Sequence, residues 1–297
     1  MADASHWQRL FPQACPLIGV VHLWPLPGSP RWAGDLAAVE RAALADAQAY
    51  LDGGADGLIV ENFGDAPFFA SAVPPETVAA MARIASAVVA MAGARPVGIN
   101  VLRNDALAAL GIAAASGARF IRVNVLTGAT VTDQGLIQGP AAELLRRRRL
   151  LGCDGGGDDG RGPGTGGADR IAILADVLVK HGAPLAPLPL EEAVRDTLER
   201  GGADAVIVSG SGTGQPTALA DLERARRAAA QVAAGVPVLV GSGATLETAA
   251  ALASRCDGLI VGSALKRGGQ LASPVDGQRV RALRHQLPGL LPQSPQD

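Results

Sequence analysis

The sequence predicts a single (β/α)8 barrel over residues 1–297, and three observations carry that expectation. Strand-like apolar runs alternate with helix-like runs eight times, which implies a parallel sheet with right-handed crossovers. One short joint recurs along the chain, as a fold of repeated βα units requires. The length is that of one barrel of this kind. Composition agrees: 48% of residues are hydrophobic but only 3% aromatic, so the core must be Ala, Val, Leu and Ile. Such residues suit parallel strands packed under Ala-rich helices.

The predicted strands run over 17–23, 57–62, 96–102, 120–126, 170–179, 205–209, 236–240 and 258–261. Each is a short, mostly apolar run with many β-branched residues. Helical patterns fill the gaps, for example over 35–51, 75–91, 105–116, 190–200 and 219–233. The recurring joint reads Asp56-Gly57-Leu58-Ile59-Val60 and again Asp257-Gly258-Leu259-Ile260-Val261. Looser copies start at Gly202-Ala203-Asp204 and at Gly117-Ala118-Arg119. In each, glycine stops a helix and a polar residue turns the chain into a strand. These joints belong to the bottom of the barrel and stabilise it without carrying chemistry.

The last two strands end distinctively. Val236-Pro237-Val238-Leu239-Val240 runs into Gly241-Ser242-Gly243, and Gly258-Leu259-Ile260-Val261 runs into Gly262-Ser263. Glycine at a strand end lets an anion approach backbone N–H groups, and a following helix adds its dipole. Adjacent ends of this kind, seventh and eighth in order, match the phosphate grip of a (β/α)8 barrel. The sixth strand adds Ser209-Gly210-Ser211-Gly212-Thr213-Gly214, which would close over the ligand. The barrel is therefore expected to be of the phosphate-binding type, taking a small phosphorylated ligand.

Working residues of this fold sit at the C-terminal ends of strands. Those ends carry His22, Glu61, Asn100, Arg122, Asn124, Asp176, Lys180 and His181. Arg122 and Asn124 share one strand face and Ile121, Val123 and Val125 the other, which puts the polar pair inward. Glu61 is the leading candidate base, because a carboxylate at a barrel mouth is desolvated. Its structural alternative is an ion pair with Arg122 or Lys180. Asp176 could be a base, a metal ligand or a partner for Lys180. Lys180 could form a Schiff base or contact phosphate. His22 could act in the site or simply hold the next loop. Asn100 and Asn124 look like substrate-positioning amides.

Other features narrow the class. Net charge is −2, which excludes a strong field for nucleic acid or anionic membrane. The basic run Arg146-Arg147-Arg148-Arg149 is expected on the solvated side and end of a helix. The cysteines, Cys15, Cys153 and Cys256, are far apart and odd in number, which fits a reduced, cytoplasmic setting. Cys15 and Cys256 are expected to be buried. The N-terminal residues are not expected to form a signal peptide, and no run is expected to approach the roughly 20 residues of a membrane span. A divalent cation has little support: there is no His-x-His on the first strand and no His-Glu-x-x-His. Residues 152–168 are rich in glycine and aspartate and are expected to form a flexible insertion on the bottom face. Their spacing matches no EF-hand loop. The sequence leaves a homo-oligomer open.

Several stretches together resemble one family. Ile18-Gly19-Val20-Val21-His22-Leu23-Trp24-Pro25-Leu26-Pro27-Gly28-Ser29-Pro30 is similar to the opening signature of the BtpA family. Val73-Pro74-Pro75-Glu76-Thr77, Gly117 to Asn124, Asp133-Gln134-Gly135, Ala175-Asp176-Val177, Val179-Lys180-His181 and Val240-Gly241-Ser242-Gly243 fit it too. The resemblance spans about residues 16–284. It implies a phosphate-binding (β/α)8 barrel and, in phototrophs, a part in accumulating photosystem I. Relatives also occur in non-photosynthetic bacteria, and the resemblance implies no particular reaction. This chain departs from the pattern in its glycine-rich insertion and at Leu178, where a polar residue such as histidine is expected. The second departure weakens a metal-centred chemistry at that strand. Two readings follow: an enzyme acting on a small phosphorylated metabolite, derived from a sugar or nucleotide, or a non-catalytic assembly factor that keeps the barrel.

Overall fold

In the computed structural model, residues 4–155, 170–210 and 218–289 are described. A short helix α1 (Ala4–Leu10) precedes β1 (Leu17–His22), α2 (Leu36–Asp52), β2 (Gly57–Glu61), α3 (Pro75–Ala92), β3 (Val97–Asn100), α4 (Ala106–Ser116) and β4 (Phe120–Val123). Then come β5 (Ala129–Thr132), β6 (Gly135–Gln138), α5 (Ala141–Leu150), β7 (Ala172–Val177), β8 (Gly182–Pro184) and α6 (Leu190–Arg195). The chain finishes with β9 (Ala205–Val208), α7 (Leu219–Val232), β10 (Val238–Val240), α8 (Ala249–Ala253), β11 (Leu259–Val261) and α9 (Gly277–Arg284). Strands β1, β2, β3, β4, β7, β9, β10 and β11 close in that order into a parallel barrel. All eight predicted strands are present and shorter than the apolar runs suggested. The fifth shrinks from 170–179 to Ala172–Val177, because left-handed backbone at Leu178 (φ 52°) and His181 (φ 58°) turns the chain out of the sheet.

Two layers of apolar side chains hold the barrel. Ile18, Val20, Ile59, Leu174, Ile207, Leu239 and Ile260 fill its interior. Leu17, Val21, Leu58, Val60, Ile121 and Val123 face the helices. In β4, Phe120 is thus inward and Ile121 and Val123 outward, which places Arg122 inward as the alternation required.

Helix α1 was not foreseen. It plugs the bottom of the barrel: Trp7 stacks on Phe11 with ring centroids 4.6 Å apart, and Phe11 meets Phe120 at 6.0 Å. Three of the nine aromatic residues are thus gathered where the taper needs bulk. Gly57 makes room for them, since a Cβ there would lie 2.8 Å from the Phe11 ring.

The bottom joints bond in one repeated way. Backbone N–H groups of Asp56, Asp204 and Asp257 donate to the carbonyls of Leu17, Ile173 and Val238. The same three residues return a hydrogen bond, their N–H groups donating to the Asp56, Asp204 and Asp257 carboxylates at 2.8, 2.8 and 2.9 Å. The corresponding backbone bond at the Arg119 joint runs from its N–H to the Val97 carbonyl. Each aspartate therefore pins the first residues of the neighbouring strand.

Three further points differ from the sequence reading. Strands β5, β6 and β8 form a separate three-stranded antiparallel sheet beside the mouth, where no strand was expected. Its residues are too few and too polar to show a periodic pattern. Arg148 is not solvated: it is 6% exposed, donates to Asp204 at 2.8 Å and to the Ile171 carbonyl at 3.2 Å. Helix α3 is, by length and composition, apolar enough to cross a membrane, contrary to the expected absence of such a run. It buries Ala80, Met81, Ile84, Ala85 and Val88 and packs beside α2 and α4 in the helical ring. Of the insertion, 152–155 continue from α5 on the bottom side, and 156–169 lie outside the described residues. Cys15 and Cys256 are buried as expected, with sulfurs 3.8 Å apart, and Cys153 is buried as well.

Candidate active site at the barrel mouth

Strand register sets the first row of the site. His22 pairs with Glu61 across β1 and β2, and Glu61 with Asn100 across β2 and β3. The three side chains therefore leave the barrel at one height. Asn100 Nδ2 donates to Glu61 Oε2 at 2.6 Å. His22 Nε2 stands 3.6 Å from Glu61 Oε1, beyond hydrogen-bond reach. Burial pulls the His22 pKa down to about 4, with the Glu61 carboxylate opposing it, so the imidazole is neutral at pH 7. Its Nδ1 has no hydrogen-bond partner among the described residues. Gly262 admits the ring, because a Cβ there would lie 2.5 Å from His22 Cε1.

Asp176 organises a second row. Arg122 donates to it twice, from Nε at 2.9 Å and Nη2 at 2.8 Å, a bidentate pair. Asn124 Nδ2 donates at 2.8 Å and Ser209 Oγ at 3.3 Å. Burial works against the charged form of Arg122, but Asp176 outweighs it and holds the guanidinium above its ordinary pKa. Asn124 Oδ1, also buried, has no partner among the described residues. Arg122 thus pairs with Asp176, and neither Glu61 nor Lys180 takes the partner proposed for it from sequence.

A cavity of about 450 Å³ opens above these rows. His22, Glu61, Asn100, Arg122, Asn124, Lys180 and His181 line it, together with Gly241, Ser242, Gly243, Gly262 and Ser263. Asp176 and Ser209 do not line it and act through Arg122 and Asn124. Gly210 is buried at the end of β9, and Gly212 lies outside the described residues. Backbone N–H groups of Gly243, Ala244, Ser263 and Ala264 find no acceptor among the described residues. All four residues line the cavity, Ala244 being 3% exposed. Glycine at 241 brings the wall close: a Cβ would lie 2.7 Å from Ser209 Oγ and 3.1 Å from Arg122 Nη2.

Sequence reasoning missed Arg103, and with it Asp133 and Gln134 from the β5–β6 turn, all of which line the same cavity. Arg103 follows Asn100 in the loop after β3, so reading past the strand end would have found it. Among the described residues, no three His, Cys, Asp or Glu side chains are arranged to hold a metal ion.

The fold and site together define a parallel (β/α)8 barrel whose polar residues converge at the C-terminal mouth. The chain belongs to the BtpA family, whose sequence profile matches residues 13–287. It is 50% identical over 267 residues to the photosystem I biogenesis protein BtpA of Synechocystis sp., covering 90% of this chain and 86% of that protein. Among solved structures it resembles Mycobacterium tuberculosis tryptophan synthase, with a TM-score of 0.58 and 17% identity over 95% of this chain and 96% of that one. Thiamine phosphate pyrophosphorylase from Pyrococcus furiosus aligns with a TM-score of 0.52 and 14% identity over 93% and 96%. At that identity the two structures show the fold alone.

Proposed function

We propose that the protein is an enzyme acting on a small phosphorylated metabolite by acid–base chemistry at the barrel mouth. The observation that carries this is the set of four backbone N–H groups in the two loops after β10 and β11 that have no acceptor among the described residues. Converging amide donors at strand ends are the ordinary means by which this fold holds a phosphate. Arg122 beside Gly241 adds a fixed positive charge. The thiamine phosphate pyrophosphorylase named above carries a phosphorylated compound in its own name, which supports the class of ligand.

Proton transfer falls to Glu61. Asn100 occupies one carboxylate oxygen and orients the group, and the other faces His22. Neutral His22 can accept or donate a proton through the nitrogen that the chain leaves unpaired. Asp176, saturated by Arg122, Asn124 and Ser209, positions those groups. Isomerisation, aldol-type cleavage and glycosidic cleavage all need such a proton transfer, and the ligand decides between them.

A thermal-shift screen of phosphorylated metabolites tests the reading. Ligand at a hundred times its Kd adds about 2.7 kcal/mol of stability. That gain should vanish in Gly243→Asp, which puts a negative charge into the grip. A screen in which nothing shifts the protein contradicts the proposal.

The relative's name favours a second reading, a role in assembly without catalysis. Under it, Glu61→Gln leaves the cellular role intact. Under the enzyme reading, the same change removes that role.

A further inference from the structure

Arg103 is a buried cation with no ion-pair partner among the described residues. It is 8% exposed, and its guanidinium makes one hydrogen bond, from Nη2 to the Lys180 carbonyl at 2.8 Å. Among the described residues no carboxylate lies within ion-pair distance of it. Lys180 lines the same side of the cavity and likewise has no ion-pair partner among the described residues. Burial lowers the pKa of both groups, and for Lys180 the neighbouring Arg122 lowers it further, while the Asp176 and Glu61 carboxylates, with Asp133 for Arg103, oppose the shift without reversing it. A buried charge is ordinarily paired, because leaving it alone in a low-dielectric site is costly. Two cations on one cavity wall, neither in an ion pair among the described residues and with protein carboxylates acting on them only at longer range, leave a place for an anionic group of a ligand.

Their place in the barrel is informative. Arg103 follows β3 and Lys180 follows β7, whereas the glycine-serine loops follow β10 and β11. In the closed order, β3 is diametrically opposite β10. The geometry points to a second anion subsite at Arg103 and Lys180, across the mouth from the phosphate loops, so that the ligand is a small metabolite with an anionic group at each end. This rests on the proposed phosphate grip and adds to it. The second group is a carboxylate or another phosphate, either of which matches a guanidinium fork with an ammonium beside it.

Calorimetric titration of the full chain with inorganic phosphate tests it by counting sites. Wild type should take up two phosphates. Arg103→Met combined with Lys180→Met should weaken one at least tenfold and keep the other, whereas Gly243→Asp should do the converse. Arg103→Lys should retain the second site in part. Without phosphate, Arg103→Met should raise Tm, since it removes an uncompensated charge, where loss of a structural arginine would lower it. The inference is overturned if the double variant keeps both sites, if wild type binds no phosphate, or if Arg103→Met lowers Tm and leaves both sites in place. If Gly243→Asp removes neither site, the grip reading fails alone and the subsite at Arg103 stands on its own count.

Discussion

The two ends of this barrel use the same residue types for opposite purposes. At the bottom, Asp56, Asp204 and Asp257 each face a strand N–H and an arginine. Arg284 lies 3.2 Å from Asp56, Arg148 2.8 Å from Asp204 and Arg226 3.7 Å from Asp257. Most donors and acceptors there pair with one another and fix strand register, although Arg148 Nε and Arg170 Nε have no hydrogen-bond partner among the described residues. At the mouth, His22 Nδ1, Asn124 Oδ1 and four backbone N–H groups are left without hydrogen-bond partners among the described residues, and the Arg103 guanidinium has one hydrogen bond and no ion pair there. Polar atoms at the bottom are mostly paired within the fold, whereas several at the mouth are not. That difference separates the ends better than residue identity does.

The comparison should break first at Asp204. Its carboxylate serves Arg148, Arg170 and the Ile173 N–H together. Asp204→Ala should lower unfolding stability by about 3–5 kcal/mol, the effect of orphaning a buried ion pair. Urea denaturation measures this, and phosphate uptake by the folded variant should be unchanged.

His22 should produce the next largest effect, as a function of pH. Its pKa is about 6.5 in the unfolded chain and about 4 in the folded one. Between those values the unfolded state binds a proton that the folded state does not. Stability from this group is therefore intact above pH 6.5, falls as the pH drops, and levels off below about 4. The full loss is about 3 kcal/mol. His22→Gln should lose that much less stability than wild type between pH 7 and pH 4; parallel curves would contradict it.

Gly241→Ala should lower stability by about 1–3 kcal/mol through crowding of Ile207, Ser209 and Arg122, and should also weaken ligand binding. Glu61→Gln marks the smallest change in the fold. It keeps an acceptor for Asn100 and should alter stability by no more than about 0.5 kcal/mol, while turnover of the substrate drops about 10²–10⁴-fold.

Much of this contrast was legible in the chain. Alternating apolar runs gave the eight strands, and the repeated Asp-Gly joint marked the bottom. Glycine-serine strand ends and the row His22, Glu61, Asn100 located the mouth. What escaped was set by tertiary pairing. The partner of Arg122 is Asp176, 54 positions away, and nothing local distinguishes it from Glu61. Arg148 sits in a run of four arginines, and only the packed structure shows which of them turns inward. The β5–β6–β8 sheet joins segments flanking the insertion, so its short strands show no pattern until they pair.

The central claim is that the mouth's unpaired backbone donors receive an anion while the bottom's paired ones do not. Backbone amide resonances followed during titration with inorganic phosphate test it most directly. The account predicts saturable shifts at Gly243, Ala244, Ser263 and Ala264, with Leu17, Ile173 and Val238 unmoved. Mouth amides that stay still, or equal shifts at both ends, would contradict it.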